Sequence, residues 1–186
     1  MKVRIAILLL MVSCAAGARA QAAPAKSWEL GAGYDFVHTN APPSGCGCFS
    51  MNGGTASVAW RVRPAFDVAG EFNGTNNGNI RATGRSLVLL TYLAGPRYRY
   101  VAKSARVVPY GQVLVGGAHA SGGLYASGTA NSFAMAIGGG LDVAVRPRVA
   151  VKLVQAEYLM TLLPNGVNDR QNNVAVSAGV VFRFGR

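Results

Sequence analysis

Few residues in this chain are equipped for chemistry, and their spacing narrows what each can do. There are two histidines, His38 and His119, and three cysteines, Cys14, Cys46 and Cys48. His119 is followed two places on by Ser121, a base near a hydroxyl, which is the start of an activated nucleophile. Such a pair needs a carboxylate to orient the imidazole, yet no Asp or Glu lies between Ser121 and Asp142. Glu157, further on, is the one acid able to approach the same region. The plainer reading is a loop histidine beside a turn serine, and it is preferred. Cys46-Gly47-Cys48 offers two thiols. A bridge across one residue is strained and easily reduced, so a loop-stiffening or intermolecular disulfide is expected. Two thiols with only His38 nearby make poor zinc spacing. Neither metal nor cofactor is expected. What remains is a scattered set of arginines and acids whose meaning depends on which way each points.

The elements that aim them are strands. In residues 173–184 (NVAVSAGVVFRF), Val174, Val176, Ala178, Val180, Phe182 and Phe184 share one parity, and Ala175, Ser177, Gly179, Val181 and Arg183 the other. That two-residue period gives one greasy face and one small or polar face. Seven similar segments precede it, and strands are expected at about 27–38, 54–63, 65–74, 86–101, 106–119, 132–146, 148–161 and 173–184. Trp28, Leu30, Ala32, Tyr34 and Phe36 oppose Glu29, Gly31, Gly33 and Asp35; Trp60 and Val62 oppose Arg61 and Arg63. Connections alternate in length. Arg63-Pro64-Ala65, residues 102–105 and Arg146-Pro147-Arg148 are tight, whereas 39–53, 75–85, 120–131 and 162–172 are longer and rich in Gly, Asn, Ser and Thr. Short turns on one side and long loops on the other are the pattern of a membrane barrel, with the short turns periplasmic. The fold class expected is all-β, an eight-stranded antiparallel up-and-down transmembrane β-barrel in a bacterial outer membrane.

The N-terminal end supports export. Lys2 and Arg4 precede an apolar run over 5–12 and small residues up to Ala18-Arg19-Ala20, the order of a secretory signal cleaved after Ala20. The run is too short to span a bilayer as a helix. Met11-Val12-Ser13-Cys14 loosely resembles a lipobox, but its methionine is atypical, and cleavage after Ala20 is preferred. Residues 1–20 are thus expected to be a signal peptide and 21–186 one barrel domain. Cleavage lowers the formal charge from +11 to +8 by removing Lys2, Arg4 and Arg19. The basic residues form no dense cluster, so nucleic acid is not an expected partner.

Residues 28–37, 93–100 (LAGPRYRY), 109–117 (PYGQVLVGG) and the final VSAGVVFRFG resemble the small eight-stranded outer-membrane barrels, the family of the OmpA transmembrane domain and OmpX. The resemblance covers most of the mature chain but is mainly pattern. It implies recognition of the aromatic-ended last strand, Phe182 and Phe184, by the barrel-assembly machinery, although Gly185 and Arg186 follow. A peptidoglycan-binding domain, present after some such barrels, is not expected. His119-Ala120-Ser121 is also similar to the His-x-Ser pair of outer-membrane lipid A deacylases, which implies a histidine base, a serine nucleophile and an orienting carboxylate.

Turning the non-greasy parity inward places Arg61, Arg63, Arg97, Arg99, Arg146 and Arg183 in or near the lumen, facing Glu29, Asp35, Asp67, Glu71 and Asp142. Buried charges must be paired, and eight strands leave an interior just wide enough for side chains. A salt-bridged plug is favoured over an ion path or a charged ligand site. The expected duty is structural, envelope-stabilising or surface-binding, with lipid A hydrolysis or a narrow channel as the alternatives. Outer-membrane lipid and lipopolysaccharide are the expected partners, with Arg81, Arg85 and Arg170 as candidate phosphate contacts; oligomeric state is left open. Lys152 and Glu157 fall on opposite parities of the seventh segment, so an unbroken strand would point one of them at lipid. A β-bulge near Val154-Gln155 is expected, turning Lys152, Gln155 and Glu157 inward.

Overall fold

The computed structural model describes residues 27–40, 48–80, 84–100, 106–123, 128–164 and 168–185. The expected signal peptide with Cys14, the thiol of Cys46, and Arg81 lie outside them. Eight strands run β1 Trp28–Asn40, β2 Cys48–Arg63, β3 Phe66–Asn77, β4 Leu87–Arg99, β5 Val107–Gly122, β6 Thr129–Arg146, β7 Val149–Thr161 and β8 Gln171–Phe184. Each pairs antiparallel with its sequence neighbours, and β8 closes on β1. Closure satisfies every ladder edge internally, which is the condition for crossing hydrocarbon with strands.

The stagger of this closure can be followed residue by residue. From Arg61 the register passes through Asp67, Arg97, Gln112, Gly138, Glu157, Ala175 and Val37, and returns to β2 at Met51. One circuit therefore climbs ten residues, from position 61 to position 51 of the same strand. A stagger of that size goes with strands tilted by about 35–45°. Every residue on this path faces inward, so the lumen wall is a rising spiral and not a set of flat rings.

The outward face is the greasy one. Trp28, Leu30, Tyr34, Trp60, Phe72, Tyr92, Ile137, Val174 and Phe182 are all exposed large hydrophobics. At the ends with short turns, Trp28 stacks on Trp60 at 5.9 Å, and Phe66 meets Tyr98 edge-on at 5.1 Å. These rings, with Tyr100 and Phe184, form an aromatic belt of the kind that sits at a membrane interface.

The structure departs from the sequence expectation at the strands' outer ends. β2 begins at Cys48 and not near 54, β3 runs to Asn77, β5 to Gly122, and β6 starts at Thr129. Asn, Ser, Thr and Gly there have the composition of loops, but their backbones still find ladder partners, as in Asn40 with Cys48 and Ser121 with Thr129. The bulge expected in β7 is present. Lys152 pairs with Gly179 and Gln155 with Ser177, so β7 carries one more residue than β8 across this interval. On the other side Asp142 pairs with Lys152 while Leu141 pairs with Val154, skipping Leu153. Lys152, Gln155 and Glu157 all end up buried inside, and Leu153 faces out.

Candidate functional site

Six of the seven carboxylates in the chain, Glu29, Asp35, Asp67, Glu71, Asp142 and Glu157, are buried in the lumen. The seventh, Asp169, stands in the connection before β8. Among the described residues, five cations join them inside: Arg61, Arg97, Arg99, Lys152 and the half-buried Arg183. Buried charges are tolerable only when paired and hydrogen-bonded; most of these are, in two layers, while Asp35 Oδ2, both Asp142 carboxylate oxygens and Arg97 Nη2 are buried without a hydrogen-bond partner.

The layer nearest the short turns is a direct ion network. Arg61 donates to Glu29 at 3.1 Å and to Asp67 at 3.3 Å. Arg99 bonds the same two acids from across the barrel, with a further donor contact to Glu29 at 3.0 Å, and stands 3.9 Å from Asp142. Arg183 reaches Glu29 at 3.1 Å from β8. Strands β1, β2, β3, β4, β6 and β8 are tied together by these few side chains.

The next layer connects unlike charges through glutamines. Gln112 accepts from Arg97 at 2.7 Å and donates to Glu157 at 2.7 Å and Glu71 at 3.2 Å. Gln155 accepts from Lys152 at 2.7 Å and from the Tyr110 hydroxyl at 2.6 Å, and donates to Glu71 at 2.9 Å. In each amide the carbonyl faces the donors and the NH2 faces the carboxylates, which fixes its orientation. The Arg97 guanidinium also lies over the Tyr110 ring, 4.6 Å from its centre, a cation–π contact. β6 carries Gly140 opposite Tyr110, where a Cβ would stand 2.6 Å from the Val154 carbonyl oxygen and 2.7 Å from the Tyr110 hydroxyl.

Above these layers the lumen changes character. Val37, Met51, Leu89, Leu93, Leu114 and Leu159 point inward with Ala118, Ala134 and Ala136 as one apolar cluster. Thr39, Thr75, Thr91, Thr161 and Asn173 are buried at comparable positions along the strands. The parity pattern predicts small or polar inward residues throughout. The outer half departs from this because a narrow interior has to be filled; its polar side chains bond locally, Asn73 to Thr91 at 3.2 Å, Thr161 to Gln171 at 2.9 Å and Asn173 to the Leu159 carbonyl at 3.1 Å.

The remaining candidates fall in different places. Asp35 is buried at 2 % exposure beside Val37 on β1. Arg63 and Arg146 are exposed at the short turns and not inside, since the ladder shifts register next to each, between Arg61 and Arg63 and between Ala144 and Arg146. Phe182 and Phe184 face outward. Cys48 opens β2 opposite Asn40. His38 faces outward and shares a 3.1 Å hydrogen bond with Ser50. His119 and Ser121 lie on one outward-facing row of β5, and the His119 ring bonds the Asn131 side chain at 2.7 Å. Glu157 does not join them. It faces the lumen, and its β6 partner Gly138 is seven residues along that strand from Asn131, the partner of His119, or about 23 Å. The bulge that rescues Glu157 from lipid commits it to the interior. Among the described residues no cluster of His, Cys, Asp and Glu is arranged to hold a metal ion. Gln112 and Tyr110 are lumen residues that the charge pattern alone missed; their shared parity within PYGQVLVGG was the available signal.

A closed eight-stranded antiparallel barrel with a greasy outer wall, an aromatic belt and buried charges inside defines the class of small outer-membrane barrels. The chain belongs to the outer membrane protein beta-barrel domain family, whose model matches residues 6–184, and a bacterial outer membrane is its location. Solved structures agree in fold. The chain resembles Neisserial surface protein A at 19% identity, with 83% of this chain and 96% of that one covered and a TM-score of 0.64. It also resembles the attachment invasion locus protein Ail of Yersinia pestis, at 17% identity over 87% of this chain and 100% of that one, TM-score 0.60. The outer membrane protein OprG from Pseudomonas aeruginosa follows at 11% identity, 87% and 97% coverage, TM-score 0.52. No curated protein sequence matches the chain.

Proposed function

We propose that this barrel conducts nothing and catalyses nothing, and serves the envelope through its outward surfaces, chiefly the rim formed by the outer strand ends and loops. The observation that supports this reading is the set of buried lumen side chains: two charge layers beneath a layer of leucine, methionine and alanine. Water and ions crossing it would have to part Arg99 from its acids and then wet a leucine-lined segment, where dewetting itself is a barrier. With the interior occupied, binding duty falls to the outside. Arg170 supports such a duty, held on the outer rim by Asn172 at 3.2 Å and by the Tyr158 hydroxyl at 3.3 Å. An arginine positioned there suits a lipopolysaccharide phosphate. The Arg170→Gln variant is expected to retain less lipopolysaccharide on purification than the native protein.

A second reading, hydrolysis of lipid A, keeps one supporting observation: His119 and Ser121 share a lipid-side row, with Asn131 on the imidazole. It lacks a carboxylate, and the envelope reading is preferred for that reason. Mass spectrometry of lipid A from cells with and without the protein separates the two. Unchanged acylation is expected; loss of an acyl chain that depends on Ser121 would replace the envelope reading with the hydrolytic one.

A further inference from the structure

The distribution of charge outside the lumen is as uneven as the distribution inside is balanced. At the periplasmic end, Arg63, Arg106, Arg146 and Arg148 are all exposed beside the short turns. The acids nearest them, Glu29, Asp67 and Asp142, are turned into the lumen with at most 3 % exposure, and Glu29 and Asp67 are each held there by two or more arginines. Nor does the sequence supply another: no Asp or Glu occurs between Glu71 and Asp142, which includes the whole β4–β5 connection and its Lys103. Among the described residues, none of the four arginines has a carboxylate within ion-pair distance. Arg146 and Arg148 even flank one proline in a two-residue turn, so like charges are held together with no acidic side chain paired to either among the described residues.

Depth identifies what neutralises them. Arg63 follows the exposed Val62 and pairs with Phe66 of the aromatic belt, while Arg106 precedes the exposed Val107 and Arg146 follows the exposed Val145. Arg63, Arg106 and Arg146 therefore each adjoin a residue of the lipid-facing wall, and Arg148 lies two residues from Arg146. That is the depth of lipid headgroups, where a long arginine side chain reaches the interface. We infer that these four arginines form a periplasmic rim that binds the phosphates of anionic phospholipids in the inner leaflet. An arginine fork matches phosphate oxygens in pairs, and a ring of them would enrich anionic lipid around this end of the barrel.

The chain carries its own reporter. Its two tryptophans, Trp28 and Trp60, stack on each other at this same rim, and both are exposed to lipid. Tryptophan fluorescence therefore reads the periplasmic end alone. The experiment places the full barrel in phosphatidylcholine vesicles doped with brominated phosphatidylglycerol, or with the same mole fraction of brominated phosphatidylcholine. The anionic quencher is expected to be enriched at the tryptophans on the order of fivefold for each arginine it engages. Selectivity should fall in the Arg63→Gln variant, vanish when all four arginines are changed to glutamine, and fade in about 1 M salt, where the Debye length is ~3 Å. Equal quenching by both lipids in the native protein would overturn the inference. So would selectivity that survives in the folded fourfold variant, since the charge would then lie elsewhere. Folding of each variant is checked by heat-modifiable gel mobility; if the fourfold variant fails to fold, Arg63→Gln against Arg63→Lys decides, with selectivity kept only by lysine.

Discussion

Arg99 is the side chain on which the lumen depends most, and Arg99→Met tests how dry that lumen is. Arg99 is 1% exposed and bonds Glu29 and Asp67, with Asp142 at 3.9 Å. Methionine of similar length fills the space but removes the charge. Glu29 would keep Arg61 and Arg183, each at 3.1 Å, and Asp67 would keep Arg61 at 3.3 Å. Asp142 would keep no cation within 4 Å among the described residues. Removing one partner of a buried pair costs about 3–5 kcal/mol because the other charge is left desolvated, and here that penalty concentrates on Asp142. Arg99→Met should therefore lose about that much stability. Adding Asp142→Asn should recover about 1–3 kcal/mol, a coupling in the range found for residues in one network. The assay is urea unfolding of vesicle-inserted protein followed by tryptophan fluorescence and linear extrapolation. A loss below about 0.5 kcal/mol for Arg99→Met, the scale of ordinary surface changes, would mean the lumen is wet and the argument from buried charge fails. A double variant no better than the single one would show that Asp142 is not where the penalty falls.

Other expectations follow from facing and fit. Val176→Arg or Ile137→Arg should impair assembly, as Arg near the bilayer midplane costs about 2–4 kcal/mol, while Ala175→Ser and Ala136→Ser on the lumen side should fold; heat-modifiable mobility ranks the four, and the reverse order would invert the two faces. Gly140→Val should displace Tyr110 from Gln155 and cost about 1–3 kcal/mol by overpacking, read as a lower urea midpoint. Deleting Leu153 removes the extra residue in β7 yet leaves Lys152 and Gln155 both facing inward, so this barrel should still assemble. Deleting Ala156 from the regular ladder should prevent assembly, because one half of the strand must then turn its charge to lipid.

Much of this architecture was legible because charge marks a direction. In β1, β3 and β6, and over residues 54–63 of β2, the acids and arginines share a parity opposite to Trp, Phe and Ile, so the inward face needed no structure to recognise. The β7 bulge was legible for the same reason: Lys152 and Glu157 stand on opposite parities, and neither can face hydrocarbon. Where both faces are apolar the pattern carries less. In β4, Leu87, Leu89 and Leu93 point inward while Val88 and Tyr92 point outward, and alternation of greasy residues on both sides leaves the filling of the outer lumen unspecified. Strand ends were hidden by composition, since Cys48 to Gly53 has the residues of a loop but the hydrogen bonds of a ladder. Arg63 and Arg146 were misplaced because the register slips beside each turn, which parity counting does not detect. For His119 and Ser121 the spacing was visible, but the position of Glu157 depended on the same bulge that turned it inward.

The account rests on a lumen that admits no ions, and single-channel recording in planar bilayers tests this most directly. With the folded, heat-modifiable native protein inserted, the current is predicted to stay at baseline at either polarity, without discrete steps. Reproducible unitary conductance from the native barrel would contradict it, since ions would then be passing Arg99 and its acids and the leucine-lined segment beyond.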